Sequence, residues 1–294
     1  MLPKFLPDLE WRSLFTLVGF CLAWGDLVQA QTVIAEPNRI TIAYEAPQNP
    51  AHRSLAEAMQ ARRSLELVQT ILSPIRLPKP LHIKLAGCDG EINAWFEGQT
   101  ITLCYEFIEW TVETARKTRK PIEVAEDIAI TGTFLEVALH ESAHAIFDYL
   151  AIPILGREED AADQMAALWL LSHSGPRTGG FLAGIVNLYL DEAGLKNFKQ
   201  LNRPKLRFGR ATAFSDAHGT PIQRMYNTLC LAYGSDPDAY RAIAEKGALP
   251  AERAEGCEGE YRQVTHAFHT LIAPHVDQDL ARKVYGNGAP LARP

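Results

Sequence analysis

His140, Glu141 and His144 fall within five residues, in the stretch ALHESAHAIF (138–147). On a helix, two histidines four apart share one face, about one turn from each other, so both imidazoles can reach the same ion. Glu141 is rotated by about 100° from His140 and cannot easily be a third ligand on that face. It is placed instead to reach a water held at the ion, the position a general base requires. The flanking VAL and AIF are apolar, so these histidines sit on a largely buried helix, where polar groups need partners.

A catalytic zinc takes three protein ligands and keeps one position open. A third histidine six residues beyond His144 is excluded, because that position is Leu150. The candidates are the acidic residues of GREEDAAD (156–163): Glu158, Glu159, Asp160 and Asp163. Glu159 and Asp163 are four apart and share a helix face. Glu159 can therefore bind the metal while Asp163 accepts a hydrogen bond from a ligand histidine, fixing its tautomer and orientation. Glu158 and Asp160 are then expected to point elsewhere, toward solvent.

These residues need elements to position them. The HESAH segment predicts a helix from about 125 to 149, ended by Pro153, and a second helix from near Glu158, with acidic residues at its positive end. Ahead of them, residues 39–46 alternate like a strand, 51–72 carry apolar residues at helical spacing, and 81–87 read as another strand. Residues 92–107 read as two strands joined through EGQ. Strands gathered early and helices after them give an α+β class, with a small N-terminal sheet followed by a mainly helical region carrying the histidine helix.

Of the 294 residues, 47% are hydrophobic and 22% charged, and the formal net charge is −6. That balance excludes a general nucleic-acid binder, which presents a basic face. The N-terminus reads as a signal peptide of residues 1–30. Lys4 and Arg12 flank an apolar stretch (13–25), and Val28 and Ala30 have the size and spacing of a cleavage site. The apolar stretch is short for a membrane span of about 20 residues. Asp8 and Glu10 dilute the positive region, so an uncleaved anchor is the alternative. Removal of Cys21 with the signal leaves Cys88, Cys104, Cys230 and Cys257, an even number that suggests two disulfides in an exported protein, periplasmic or secreted. Pairing of sequence neighbours is the simplest of the three possible connectivities. Residues 31–294 contain no evident linker and read as one domain with no membrane span.

The combination of HESAH on one helix and EDAAD on the next resembles the glutamate zincins, which include the thermolysin-like and the prenyl-protein-processing metallopeptidases. A closer resemblance is to the bacterial "putative metallopeptidase" family. It is carried by CDGEINAWFEGQTITLCYE (88–106), HESAH, GREEDAADQMAAL (156–168) and FSDAHGTPIQRMYNTLC (214–230), which span most of the chain after residue 30. The resemblance implies a zincin-like fold, zinc bound by His140, His144 and Glu159, and hydrolysis of peptide or protein substrates with Glu141 as base. It further implies that Asn93 and Ala94 belong to an edge strand along which the substrate backbone lies, a role an exposed edge can fill by adding an extended peptide as one more strand. His218 and Arg224 resemble the histidine and arginine of a late segment in the prenyl-protease-like zincins, although Gly219 replaces a proline there. Arg224 is then expected near the substrate, and His218 or Tyr226 would stabilise the developing oxyanion, with Asp216 orienting His218. A competing reading is an inactive metal-binding or scaffolding protein that keeps the fold. Another is hydrolysis of a non-peptide amide such as a cell-wall crosslink.

Overall fold

The computed structural model describes residues 39–117, 122–173, 175–196, 198–201, 217–286 and 291. The expected signal peptide and Asp216 lie outside them. The expected α+β class is found. Strand β1 (Ile40–Tyr44) leads through helices α1 (Arg53–Ala61) and α2 (Ser64–Leu72) to β2 (Leu81–Ala86), and a hairpin of β3 (Ala94–Glu97) and β4 (Thr100–Cys104) follows. The strand order is β1-β2-β4-β3, with β1, β2 and β4 parallel and β3 antiparallel at the edge. Gly98, at φ +63°, makes the tight hairpin turn that an L side chain would resist. One face of the sheet is apolar and covered: Leu81, Ile83, Leu85, Ile101 and Leu103 are fully buried, whereas Thr41 and His82 face solvent.

The helix expected over 51–72 is in fact two. A continuous helix that buries Leu55 and Met59 would need apolar residues at 62 or 63, and both are arginine. The chain breaks there, with Arg63 in the left-handed region at φ 55°, and restarts as α2 in a register that buries Leu65, Val68, Ile71 and Leu72. The hydroxyl of Tyr44 accepts from the backbone N–H of Leu65 at the new helix start and donates to Glu66.

The rest is helical: α3 (Tyr105–Lys117), α4 (Glu126–Leu150), α5 (Glu158–His173), α6 (Thr178–Glu192), α7 (Pro221–Ser235), α8 (Arg241–Glu245), α9 (Ala251–Ala254), α10 (Cys257–Leu271) and α11 (Gln278–Tyr285). Both disulfides join sequence neighbours, Cys88 to Cys104 and Cys230 to Cys257. No helix among the described residues is long and apolar enough to cross a membrane.

Helix α4 is buried almost all round and packs against the sheet, α3, α5 and α6. It crosses α6 with backbone against backbone. A Cβ on Gly132 would lie 2.6 Å from the Cα of Phe181, and one on Gly184 would lie 2.6 Å from the Cα of Ala129. Replacement of Gly184 by Ala should therefore destabilise the fold. The gain in helix propensity is about 1 kcal/mol, but a clash with backbone cannot be relieved by a rotamer change, and overpacking costs about 1–3 kcal/mol. Urea unfolding of G184A should show a lower midpoint, and an unchanged or higher one would refute this close-approach argument.

Candidate active site

Helices α4 and α5 are antiparallel neighbours joined by the turn 151–157, where Ala151 takes a left-handed conformation (φ 49°) and Gly156 lies at φ +112°. That reversal brings the N-terminal turn of α5 over the second half of α4. His140 and His144 then face Glu159. His140 Nε2 lies 3.1 Å from His144 Nε2 and 3.1 Å from Glu159 Oε2, and His144 Nε2 lies 3.3 Å from the same oxygen. One ligand atom from each residue falls within 4.8 Å of the other two, an arrangement that could hold a metal ion.

The outer nitrogens decide how this cluster is read. His140 Nδ1 donates to Asp163 Oδ1 at 2.8 Å, and His144 Nδ1 donates to Glu158 Oε1 at 2.7 Å. With both Nδ1 atoms carrying protons toward carboxylates, both Nε2 lone pairs turn inward to meet a carboxylate oxygen. Three electron-rich atoms at contact distance need a positive charge between them, either protons or a cation. The donor set of two imidazoles and one carboxylate is that of a three-ligand zinc site. Without an ion the cluster draws protons: burial works against charge on His140, but the carboxylates of Asp163 and Glu159 outweigh it and raise its pKa to about 10. Glu159 is held far below the usual carboxylate range by hydrogen bonds from His140, His144 and His218. Glu158 is exposed, as expected, but it does not point away from the cluster, because its carboxylate meets His144 Nδ1, whereas Asp160 pairs with Arg157.

Behind the cluster lies a buried charge network. Arg224 on α7 grips Asp163 with two bonds, Nε to Oδ2 at 2.8 Å and Nη2 to Oδ1 at 2.7 Å, and its Nη2 reaches Glu136 at 3.4 Å. Tyr189 on α6 donates to Glu136 Oε1 at 2.6 Å, and the guanidinium lies over the Tyr189 ring. Glu136 is 4%, His140 3% and Asp163 7% exposed, so these are interior charges that survive only because each is paired. Burial tends to raise Asp163, and the bonds from Arg224 and His140 win, taking it down to about 2. Glu136 and Tyr189 were not singled out in the sequence. Glu136 was legible: Glu136, His140, His144 and Asp148 form an i, i+4 polar stripe along the helix. Nothing local marks Tyr189.

The cluster lines a cleft of about 580 Å³, walled on one side by Asn93, Ala94, Trp95 and Phe96 of the edge strand and its approach, and on the other by Phe147, Ile152 and Glu158. Glu141 faces this cleft and takes a backbone hydrogen bond from Phe96; burial raises its pKa above the ordinary glutamate value. His218 stands at the mouth, with Nε2 2.8 Å from Glu159 Oε2 and its ring stacked on His140. It is placed by the start of α7, where Thr220 and Gln223 form a reciprocal capping box with Pro221 at the first helical position. The structure therefore gathers His140, Glu141, His144, Glu159, His218, Asn93 and Ala94 around one cleft. Arg224 sits beneath it against Asp163. Tyr226 is half-buried on α7 and is not among the residues lining the cleft.

A family model described as "Putative metallopeptidase" matches residues 44–272. The chain belongs to that family. The match runs from the end of β1 to just past α10 and so takes in every residue of the cluster, its charge network and the edge strand. Membership brings with it a metal-dependent peptidase activity, with a metal cofactor and peptide or protein substrates. Neither the search of the curated proteins nor the search of the solved structures returned a match.

The charge network predicts a stability effect separable from any activity. Arg224→Met removes the guanidinium that faces both Glu136 and Asp163 and leaves these two buried carboxylates without that counter-charge. Unfolding of R224M should show a loss of roughly 3 kcal/mol or more. A variant as stable as the parent would mean that the network contributes nothing to the fold.

Proposed function

We propose that this chain is an exported zinc-dependent peptidase, with a signal peptide of residues 1–30 and one catalytic domain of residues 31–294. The observation that carries the reading is the convergence of His140 Nε2, His144 Nε2 and Glu159 Oε2, with both outer histidine nitrogens already committed to carboxylates. Zinc held by these three residues would lower the pKa of water and polarise the scissile carbonyl. Two imidazoles and a carboxylate leave an open position for that chemistry.

The chain's own groups supply the rest. Glu141 lies one residue from His140, off the ligand face and in the cleft, so it can take the proton of the attacking water and pass it to the departing amine nitrogen. The apolar surroundings that raise its proton affinity suit a group that must hold a proton between two transfers. Asp163 keeps His140 in the Nδ1–H tautomer and Glu158 does the same for His144, so that both present Nε2. His218, at the open side, is the donor available to the carbonyl oxygen as negative charge develops on it. Arg224 acts through Asp163. The extended backbone at Asn93 and Ala94 offers an edge against which a peptide can pair. Export fits two disulfides in one chain, which persist in oxidising compartments.

Metal content tests the core of this reading. The purified chain should carry about one zinc, lost or weakened in His140→Ala and Glu159→Ala; folded protein that takes up no zinc on reloading would remove the metal site and the peptidase reading with it. Glu141→Gln should keep the zinc and lose turnover, because Glu141 is not a ligand. Asp163→Asn should weaken zinc affinity by about 10–100-fold, read by competition with a chromophoric chelator. Unaltered affinity would show that Asp163 serves the fold alone.

A further inference from the structure

The cleft has a neighbour beyond His144. Phe147 and Ile152, which line the cleft, are also walls of a second hollow of about 90 Å³ between α4, α5 and α10, completed by Ile154, Met165, Val264 and Phe268 among others. No charged side chain lines it, and Gln164 is the one polar residue. The two exposed large hydrophobic side chains among the described residues are sequence neighbours of these walls: Ile92, 58% exposed, precedes Asn93, and Leu155, 103% exposed, follows Ile154.

We propose that this groove is a specificity subsite of the cleft and receives one bulky apolar side chain of the substrate, of the size of Leu, Ile, Met or Phe. The inference rests on the peptidase reading and names the substrate class for it. Adjacency places the occupant, since the groove shares Phe147 and Ile152 with the cleft in which a polypeptide would lie. Spacing agrees. Phe147 lies three residues past His144, about 4.5 Å along the helix axis at about 1.5 Å per residue. An extended peptide advances about 3.3 Å per residue, so the groove is one or two residues from the bond at the cluster. Side chains alternate between the two sheet faces along a peptide paired with β3, so every second one points to the face on which α4 packs, the side of Phe147 and Ile152. A neutral, apolar lining selects against charged side chains there, because burying one without a partner is costly.

The test is digestion of a mixture of unstructured peptides by the zinc-loaded full chain, with cut sites mapped by mass spectrometry. Leu, Ile, Met and Phe should be enriched at one position within two residues of the cut. Two variants probe the groove from α10, away from the ligands: Ala267→Trp at its exposed rim, and Val264→Asp in its wall. In each, with zinc content retained, the ratio of kcat/KM for a Leu peptide over the matching Ala peptide should fall about tenfold or more. Cleavage with no apolar enrichment, or a ratio unmoved in both variants, overturns the inference and leaves the peptidase reading standing. No cleavage by zinc-loaded chain overturns both.

Discussion

The carboxylate of Asp163 is the point on which the site depends. It is buried between Arg224 and His140, and so ties α5 to α7 and α4 in one contact. A buried carboxylate facing only a histidine would draw a proton onto the ring, because unpaired charge in the interior is costly. Arg224 supplies that counter-charge permanently. With a cation at the cluster, His140 can then be neutral, donate from Nδ1 and keep Nε2 as a lone pair. The same guanidinium also serves Glu136, whose second partner is the Tyr189 hydroxyl. Arg224 thus faces two carboxylates, and a third, Glu159, lies at the histidine cluster, so the carboxylates outnumber the one guanidinium, a balance that suits a divalent cation. Stability and metal readiness thus draw on one set of contacts, which is why interior charge is tolerated there.

The elements around this contact are braced covalently. Cys88–Cys104 ties the approach to the edge strand to the end of β4, and Glu106 accepts from the backbone N–H groups of Cys88 and Gly90 in the same loop. Cys230–Cys257 joins α7, which carries Arg224, to α10, where the helices pack so closely that a side chain on Gly234 would meet the carbonyl of Cys257. One bridge steadies the wall along which a peptide would lie, and the other steadies the helix that neutralises the interior carboxylates. An edge strand with unpaired backbone groups is a liability in a free-standing sheet. Here it is short, anchored at both ends, and set against the cleft.

What was legible in the sequence follows from how local each feature is. His140, Glu141 and His144 share one helical turn, and Glu159 and Asp163 share the next helix, so spacing alone reported their faces. The disulfide neighbours and the hairpin 92–107 were legible for the same reason. The break at Arg63 was readable in principle, from five residues between Met59 and Leu65 with no apolar side chain larger than Ala61, but a run of helix-forming residues masks it. Glu158 was misjudged because helical facing alone ignores the reach of a side chain in the first turn, where the chain enters from the side. The role of Arg224 against Asp163, across 61 residues, depends on how α7 docks on α5, which no local pattern encodes. Tyr189 is a similar case, since its partner is on a helix 53 residues earlier.

The same distinction separates chemistry from selectivity in this fold. The polar stripe on α4 runs from Glu136 in the interior through His140 to His144 and Asp148 at the surface, so one helix carries both the support of the cluster and its exposed face. Its spacing is rigid, because a shift of one residue would turn every polar group by about 100° into the apolar packing. The groove beside it is assembled from the end of α4, the turn after it, the middle of α5 and α10, segments that meet only in the folded chain. A substitution there changes the shape of an apolar wall without unpairing any charge, and volume-conserving changes in such surroundings cost little. Reaction type is therefore confined to a few positions at fixed spacing, whereas the fit of the substrate side chain is spread over many positions that can vary independently.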